Sequence, residues 1–169
     1  MDTTIVSPTL LYLLLFTNIS NNKLIYIGKI AVALTFLCHG LYAIGYYPLP
    51  GQFVDMMING FFVNQEQSVL LLKVFGIIDI LIALTIFLPI TTSISLWYAI
   101  LWGTLTALAR VTTNFYIDFP WQSLNQWIPE MLYRIPHGSI PLFVLFLYQS
   151  VKLRQSSTNP SSSFRMSSI

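Results

Sequence analysis

The sequence predicts an all-α integral membrane protein: a bundle of four membrane-spanning helices with short interfacial segments at its N-terminus and in its outer loops. Composition is the first reason. Of the 169 residues, 55% are hydrophobic and only 8% are charged, against about 25% charged in an ordinary soluble domain. The mean hydropathy is +0.69. Patterning is the second reason. The apolar residues collect into runs of about 20, the length that crosses a hydrocarbon core of roughly 30 Å at about 1.5 Å per residue. The bilayer is therefore the partner that the composition names.

The net charge of +2 is small and scattered, which argues against nucleic acid as a partner. A lone cysteine, Cys38, excludes an intrachain disulfide, a CxxC redox pair and a cysteine-rich metal site. It reads as a small packed apolar residue.

In chain order, residues 1–23 form a short apolar or interfacial segment. Its run IVSPTLLYLLLF at 5–16 is short for a span and lacks the basic region and cleavage site of a signal peptide. A partly inserted interfacial helix and an additional span are both open readings of it. Residues 24–153 make the transmembrane domain. The first span, 24–46, carries Lys29 near its start, placed to snorkel to the interface, and His39 in its far half. The loop 48–68 contains FVDMMINGFF, amphipathic enough for a short helix at the membrane surface. The second span, 69–89, has Asp79 near its middle. The turn at 91–93 is short enough to make the second and third spans antiparallel neighbours.

The third span covers 94–112. Gly76, Asp79 and Ala83 share one face of the second span, and Gly103, Ala107 and Arg110 share one face of the third. Both are small-residue stripes that admit a close neighbour. The loop 113–136 is rich in aromatics (Phe115, Tyr116, Phe119, Trp121, Trp127 and Tyr133) that suit the membrane–water interface. Its prolines, Pro120, Pro129 and Pro136, are expected to keep it from being one helix. The last span covers 137–151, with Pro136 and Pro141 kinking it. Residues 154–169 read as a disordered polar tail.

Lys23, Lys29, Lys152, Arg154 and Arg165 lie before or early in the first span and after the last. The positive-inside rule therefore places both termini in the cytoplasm and the two long loops outside. Counting along the spans puts Asp79 near mid-depth and His39 and Arg110 in the outer half. Lys73, Glu130, Arg134 and His137 fall at the outer ends of the second and fourth spans. An acid at mid-depth costs about 2.5–3.5 kcal/mol on insertion scales, so it should face a partner or a wet cavity. These seven residues form the candidate ligand-binding cluster. Two readings stand for it: a site that handles a ligand or a proton, or buried pairs that fix helix packing.

Asp79 and Arg110 are the expected pair, offset by about five residues, or roughly 7 Å. Packed or capping roles are expected for His39 and His137 in preference to metal or haem ligation. A bis-histidine haem site needs both rings at one depth and facing each other, and depth alone is met. No metal site is expected, and the cofactor is open. The chain has no H-E-x-x-H, no G-x-S-x-G and no Gly-rich phosphate loop, and whether it is an enzyme is left open.

Three stretches, GKIAVALTFLCHGLYAIG, LLLKVFGIIDILIALTIFLP and SISLWYAILWGTLTALARV, resemble the DoxX-like family of small four-helix membrane proteins, over roughly residues 24–150. His39 and Gly40 match a His-Gly of that family. Asp79 stands where its second-helix acid is usually Glu. The basic residue that often follows the His-Gly has no counterpart at 41–46. The resemblance implies the four-helix membrane fold. Because some members are named as subunits of quinol-oxidase or thiosulfate–quinone systems, it also implies an association with quinone or respiratory redox systems.

The function expected is an accessory or small-molecule-binding subunit, with quinone or another apolar small molecule and other membrane subunits as partners. The alternative is a small transporter or proton-coupled carrier using Asp79 and Arg110. A third reading is a catalytic membrane protein with its site under the aromatic loop.

Overall fold

The structure, a computed structural model, describes residues 19–158. Among the described residues there are six helices and no strand: α1 (Asn21–Ala43), α2 (Gly51–Phe61), α3 (Gln65–Thr85), α4 (Thr92–Thr112), α5 (Pro120–Arg134) and α6 (Pro136–Thr158). Helices α1, α3 and α4 are long and apolar enough to cross a membrane. Helix α6 matches α1 at 23 residues but is less apolar. These four long helices form a bundle. The amphipathic α2 packs on α3 and α4, and the amphipathic α5 packs on α4, both at the same end. The outward faces are apolar, with Leu70, Val74, Ile77 and Leu81 exposed on α3 and Trp97, Leu101 and Leu105 on α4. Outward-facing apolar rows of this kind suit acyl chains.

Local chemistry accounts for the breaks between helices. Gly45, at φ 85°, stops α1 in the left-handed conformation that glycine adopts without strain. A capping box starts α3: Asn64 Oδ1 accepts the Gln67 N–H at 2.9 Å, and Gln67 Oε1 accepts the Asn64 N–H at 3.1 Å. The expected surface helix in the loop 48–68 is α2.

The loop 113–136 is not one helix, as expected, but Pro129 does not break the helix within it: α5 is a continuous helix of 15 residues. Pro120 stands at its first turn, where no N–H is needed, and Pro129 is accommodated inside it. Pro136 opens α6, one residue after α5 ends. The boundaries at both termini shift as well. Asn21–Lys23 belong to α1, and α6 runs on to Thr158, so residues 154–158 are helical. The segment 5–16 and residues 159–169 lie outside the described residues.

The helices pair in a way that the short turn did not predict. Helix α1 packs chiefly on α3, α4 packs chiefly on α6, and α1 against α6 joins the two pairs. Helices α3 and α4, although consecutive, touch least among the long-helix neighbours. The small-residue stripes explain this. A Cβ added to Gly40 would stand 2.7 Å from the Gly76 carbonyl oxygen, and one added to Gly76 would stand 2.9 Å from the Gly40 carbonyl oxygen. Gly103 faces the backbone of His137 and Gly138 in the same close manner. The stripes on α3 and α4 thus serve α1 and α6, and leave no close face for each other.

An apolar core fills the half of the bundle nearer the termini, built from Ile25, Val32 and Phe36, Ala83 and Ile86, Leu96 and Ala99, and Ile140, Val144 and Leu145. Lys29 does not snorkel. It is 8% exposed, with its Nζ donating to Thr92 Oγ1 at 2.8 Å and lying 5.0 Å from the centre of the Tyr148 ring. Thr92 opens α4, so this bond ties α1 to the α3–α4 turn.

Filling either glycine crossing should destabilise the fold. Gly76→Val or Gly103→Val is expected to cost about 1–3 kcal/mol through overpacking. Gly51→Ala, where nothing lies within 4 Å, should stay within about 0.5 kcal/mol of the parent. Thermal unfolding in detergent checks this, and equal midpoints for all three variants would refute the crossing geometry.

Candidate functional site

At the end of the bundle that carries α2 and α5, the centre is not filled. A cavity holding about 500 Å³, its open mouth included, is bounded by all the helices except α6. Helix α1 contributes His39 and Ala43, and α2 contributes Phe53, Met56 and Met57. Leu72, Phe75 and Asp79 come from α3, Trp102, Thr106 and Arg110 from α4, and Arg134 from α5. Apolar and aromatic walls with a few convergent polar groups are the usual make-up of a small-molecule site.

Asp79 is 4% exposed and accepts a hydrogen bond on Oδ1 from the Tyr98 hydroxyl at 2.8 Å. The indole of Trp102 is a second donor directed at the same carboxyl. One helical turn above, Phe75 and Trp102 stack with ring centres 4.3 Å apart. Tyr98, Trp102, Thr106 and Arg110 recur every four residues, so one face of α4 lines the whole depth of the space. These side chains bridge α3 and α4 where their backbones do not meet.

Arg110 is 1% exposed, the most deeply buried charged residue described. Its Nη1 donates to Gln52 Oε1 at 2.8 Å, and its Cζ lies 5.8 Å from the centre of the Phe53 ring. Its partners are a neutral amide and an aromatic face, both from α2. The expected Asp79–Arg110 pair therefore does not form. The turn between the two helices is longer than the sequence reading allowed, covering residues 86–91 rather than 91–93. Counting outward from its true centre sets Asp79 opposite Tyr98, which lies 12 residues before Arg110, or about 18 Å along the helix.

His39 and His137 meet. Their rings stack with centres 4.9 Å apart and planes at 18°, so the rings face each other as the sequence reading did not expect. His137 Nδ1 lies 3.1 Å from the Arg134 carbonyl oxygen, an acceptor that requires the proton on Nδ1. The in-plane lone pairs of two stacked imidazoles run parallel and do not converge on one ion. Among the described residues, no group of three or more His, Cys, Asp or Glu side chains could hold a metal ion.

Of the seven predicted residues, His39, Asp79, Arg110 and Arg134 line the one cavity, and His137 backs it through the stack. Glu130 is exposed but acts electrostatically on Arg134. Burial pushes the Arg134 guanidinium below its ordinary value, and the Glu130 charge partly offsets this. Lys73 is exposed and lines a separate groove beside Tyr46 and Tyr47, so it does not belong to the cluster. Tyr98, Trp102 and Gln52 were missed. The four-residue spacing down α4 was a usable signal for the first two, whereas Gln52 on an exposed helix start had none. Comparison of the chain with known protein families, with curated proteins and with solved structures returned no match.

A double-mutant cycle tests these partners. Asp79→Asn and Tyr98→Phe should couple by about 1 kcal/mol, whereas Asp79→Asn and Arg110→Gln should add to within about 0.5 kcal/mol. Coupling in the second cycle and none in the first, measured by thermal unfolding, would restore the ion-pair reading.

Proposed function

We propose that this chain is a DoxX-like protein of the inner membrane that binds a small membrane-dissolved molecule in the cavity between α3 and α4. In this reading it serves as an accessory subunit of a quinone-linked or respiratory redox system. It has four spans, α6 being the fourth, and both termini in the cytoplasm. The observation that carries the reading is the cavity itself, with apolar walls from four helices and polar groups at two depths, including a deeply buried arginine. A purely structural bundle of this size would fill that space with side chains, as the other half of the bundle does. The lysine and arginine bias supports the orientation, and the loose resemblance of three spans to DoxX-like proteins supports the redox association.

Carriage across the membrane is a second reading. Asp79 and Arg110 share one cavity and have different partners, so each is accessible to a bound solute without first breaking a mutual ion pair.

Organic extraction of the purified protein followed by mass spectrometry tests the binding reading. A quinone or another apolar small molecule should accompany the parent chain and be depleted in Thr106→Phe, which fills the cavity. Equal recovery from both would overturn it, and uptake into proteoliposomes without retained ligand would favour the carrier.

The orientation has its own check. Reporter fusions at Ser156 and Glu66 should report opposite sides of the membrane, and the same side for both would overturn the topology.

A further inference from the structure

Among the described residues, two buried side-chain nitrogens have no hydrogen-bond partner, Arg110 Nε and Arg134 Nε. Both residues line the same cavity. We propose that the cavity takes an amphiphile with an oxyanion head, held between Arg110 and Arg134; this deepens the binding reading above and rests on it.

A guanidinium presents five N–H donors in a rigid fork. Arg110, at 1% exposed, uses Nη1 on the Gln52 amide and offers Phe53 its face. Neither partner carries a negative charge. Asp79, the acid within the cavity, is engaged by Tyr98 about 18 Å away along α4. Glu130 acts electrostatically on both arginines, but from an exposed position. The mouth of the cavity therefore holds two cations and no buried anion. Such an excess is costly in a low-dielectric setting unless an anion joins it.

A carboxylate or phosphate fits this need, because two forks directed at one oxyanion make short, charge-assisted and geometrically selective bonds. A neutral quinone carbonyl would accept hydrogen bonds here without bringing a negative charge to the two guanidiniums. The sulfur and aromatic surface of Met56, Met57, Phe75 and Trp102 below the arginines then receives the apolar part of the ligand. Met side chains adapt to flexible chains.

The test compares ligands that share a decyl chain and differ in the head: decanoate, decyl phosphate, decanol and decylubiquinone. Each is titrated into the full chain in phosphatidylcholine nanodiscs, with tryptophan fluorescence as the readout. Decanoate or decyl phosphate should bind at least about tenfold more tightly than decanol, the weight of one charge-assisted hydrogen bond. Preference for the carboxylate marks a free fatty acid as the source, and preference for the phosphate marks a lipid headgroup. Arg134→Gln, in a half-buried position, should lose that advantage while retaining the fold, and Arg110→Lys should lose it in part.

Affinity for decanol equal to that for both decanoate and decyl phosphate, or an advantage that survives Arg134→Gln, overturns the proposal. If decylubiquinone alone binds, the oxyanion proposal fails and the binding reading stands. If none of the four binds, both fail.

Discussion

Contact between helix backbones at two points sets the geometry of this protein. Gly40 meets Gly76, and Gly103 meets the backbone of His137 and Gly138, at separations that a single Cβ would forbid. In a bilayer the lipid tails are as apolar as the side chains, so association depends on close packing rather than on escape from water. Each contact therefore does more than shape one crossing. The first brings His39 and the second brings His137 to the middle of the bundle, because in each case the histidine is tied covalently to a glycine at or beside the crossing. The stacked imidazoles follow from the glycines, and the cavity follows from what the stacked pair leaves unfilled beside it.

The same arrangement divides the molecule along its length. Toward the termini the interior is made of Ile, Val, Leu, Phe and Ala, with Lys29 the buried cation and Thr92 its partner. Toward α2 and α5 the interior turns aromatic, sulfur-containing and charged. A bundle needs one half to be well packed if the other is to remain hollow. The buried lysine strengthens that division by fastening α1 to the α3–α4 turn, at the end opposite the space.

Much of the fold was legible in the sequence, because length and hydropathy alone locate a span. Long apolar runs and Pro or Gly breaks placed α1, α3 and α4 to within a few residues, and the amphipathic pattern of 53–62 located α2. Pro129 misled, because a proline inside a surface helix can be tolerated when its neighbours and solvent satisfy the freed carbonyl. Part of the site was legible too: unusual polar residues in apolar runs, His39, Asp79 and Arg110, do gather at one end. Their partners were not. A turn centred at 91–93 in the sequence reading is centred between Leu88 and Pro89 in the structure, which moves the register by about two helical turns, so Asp79 was matched to the wrong level of α4. Small-residue stripes show that a helix has a close neighbour without naming which one. Gln52, a polar residue on a short helix, becomes a partner only through the way α2 folds over the bundle.

The sparing contact between α3 and α4 has a mechanical meaning. The bundle is two rigid leaves, α1 with α3 and α4 with α6, each locked internally by a glycine crossing and joined along α1 and α6 like the spine of a book. On the opposite edge, apart from the 86–91 turn and α2, which packs on both, the leaves are held by side chains: a carboxyl and a phenol, two stacked rings, and the Thr85–Ser95 hydroxyl contact at 3.2 Å. Such links can exchange for others without disturbing either leaf. Parting of the leaves at that edge would open the interior sideways, toward the lipid, and leave both glycine crossings intact.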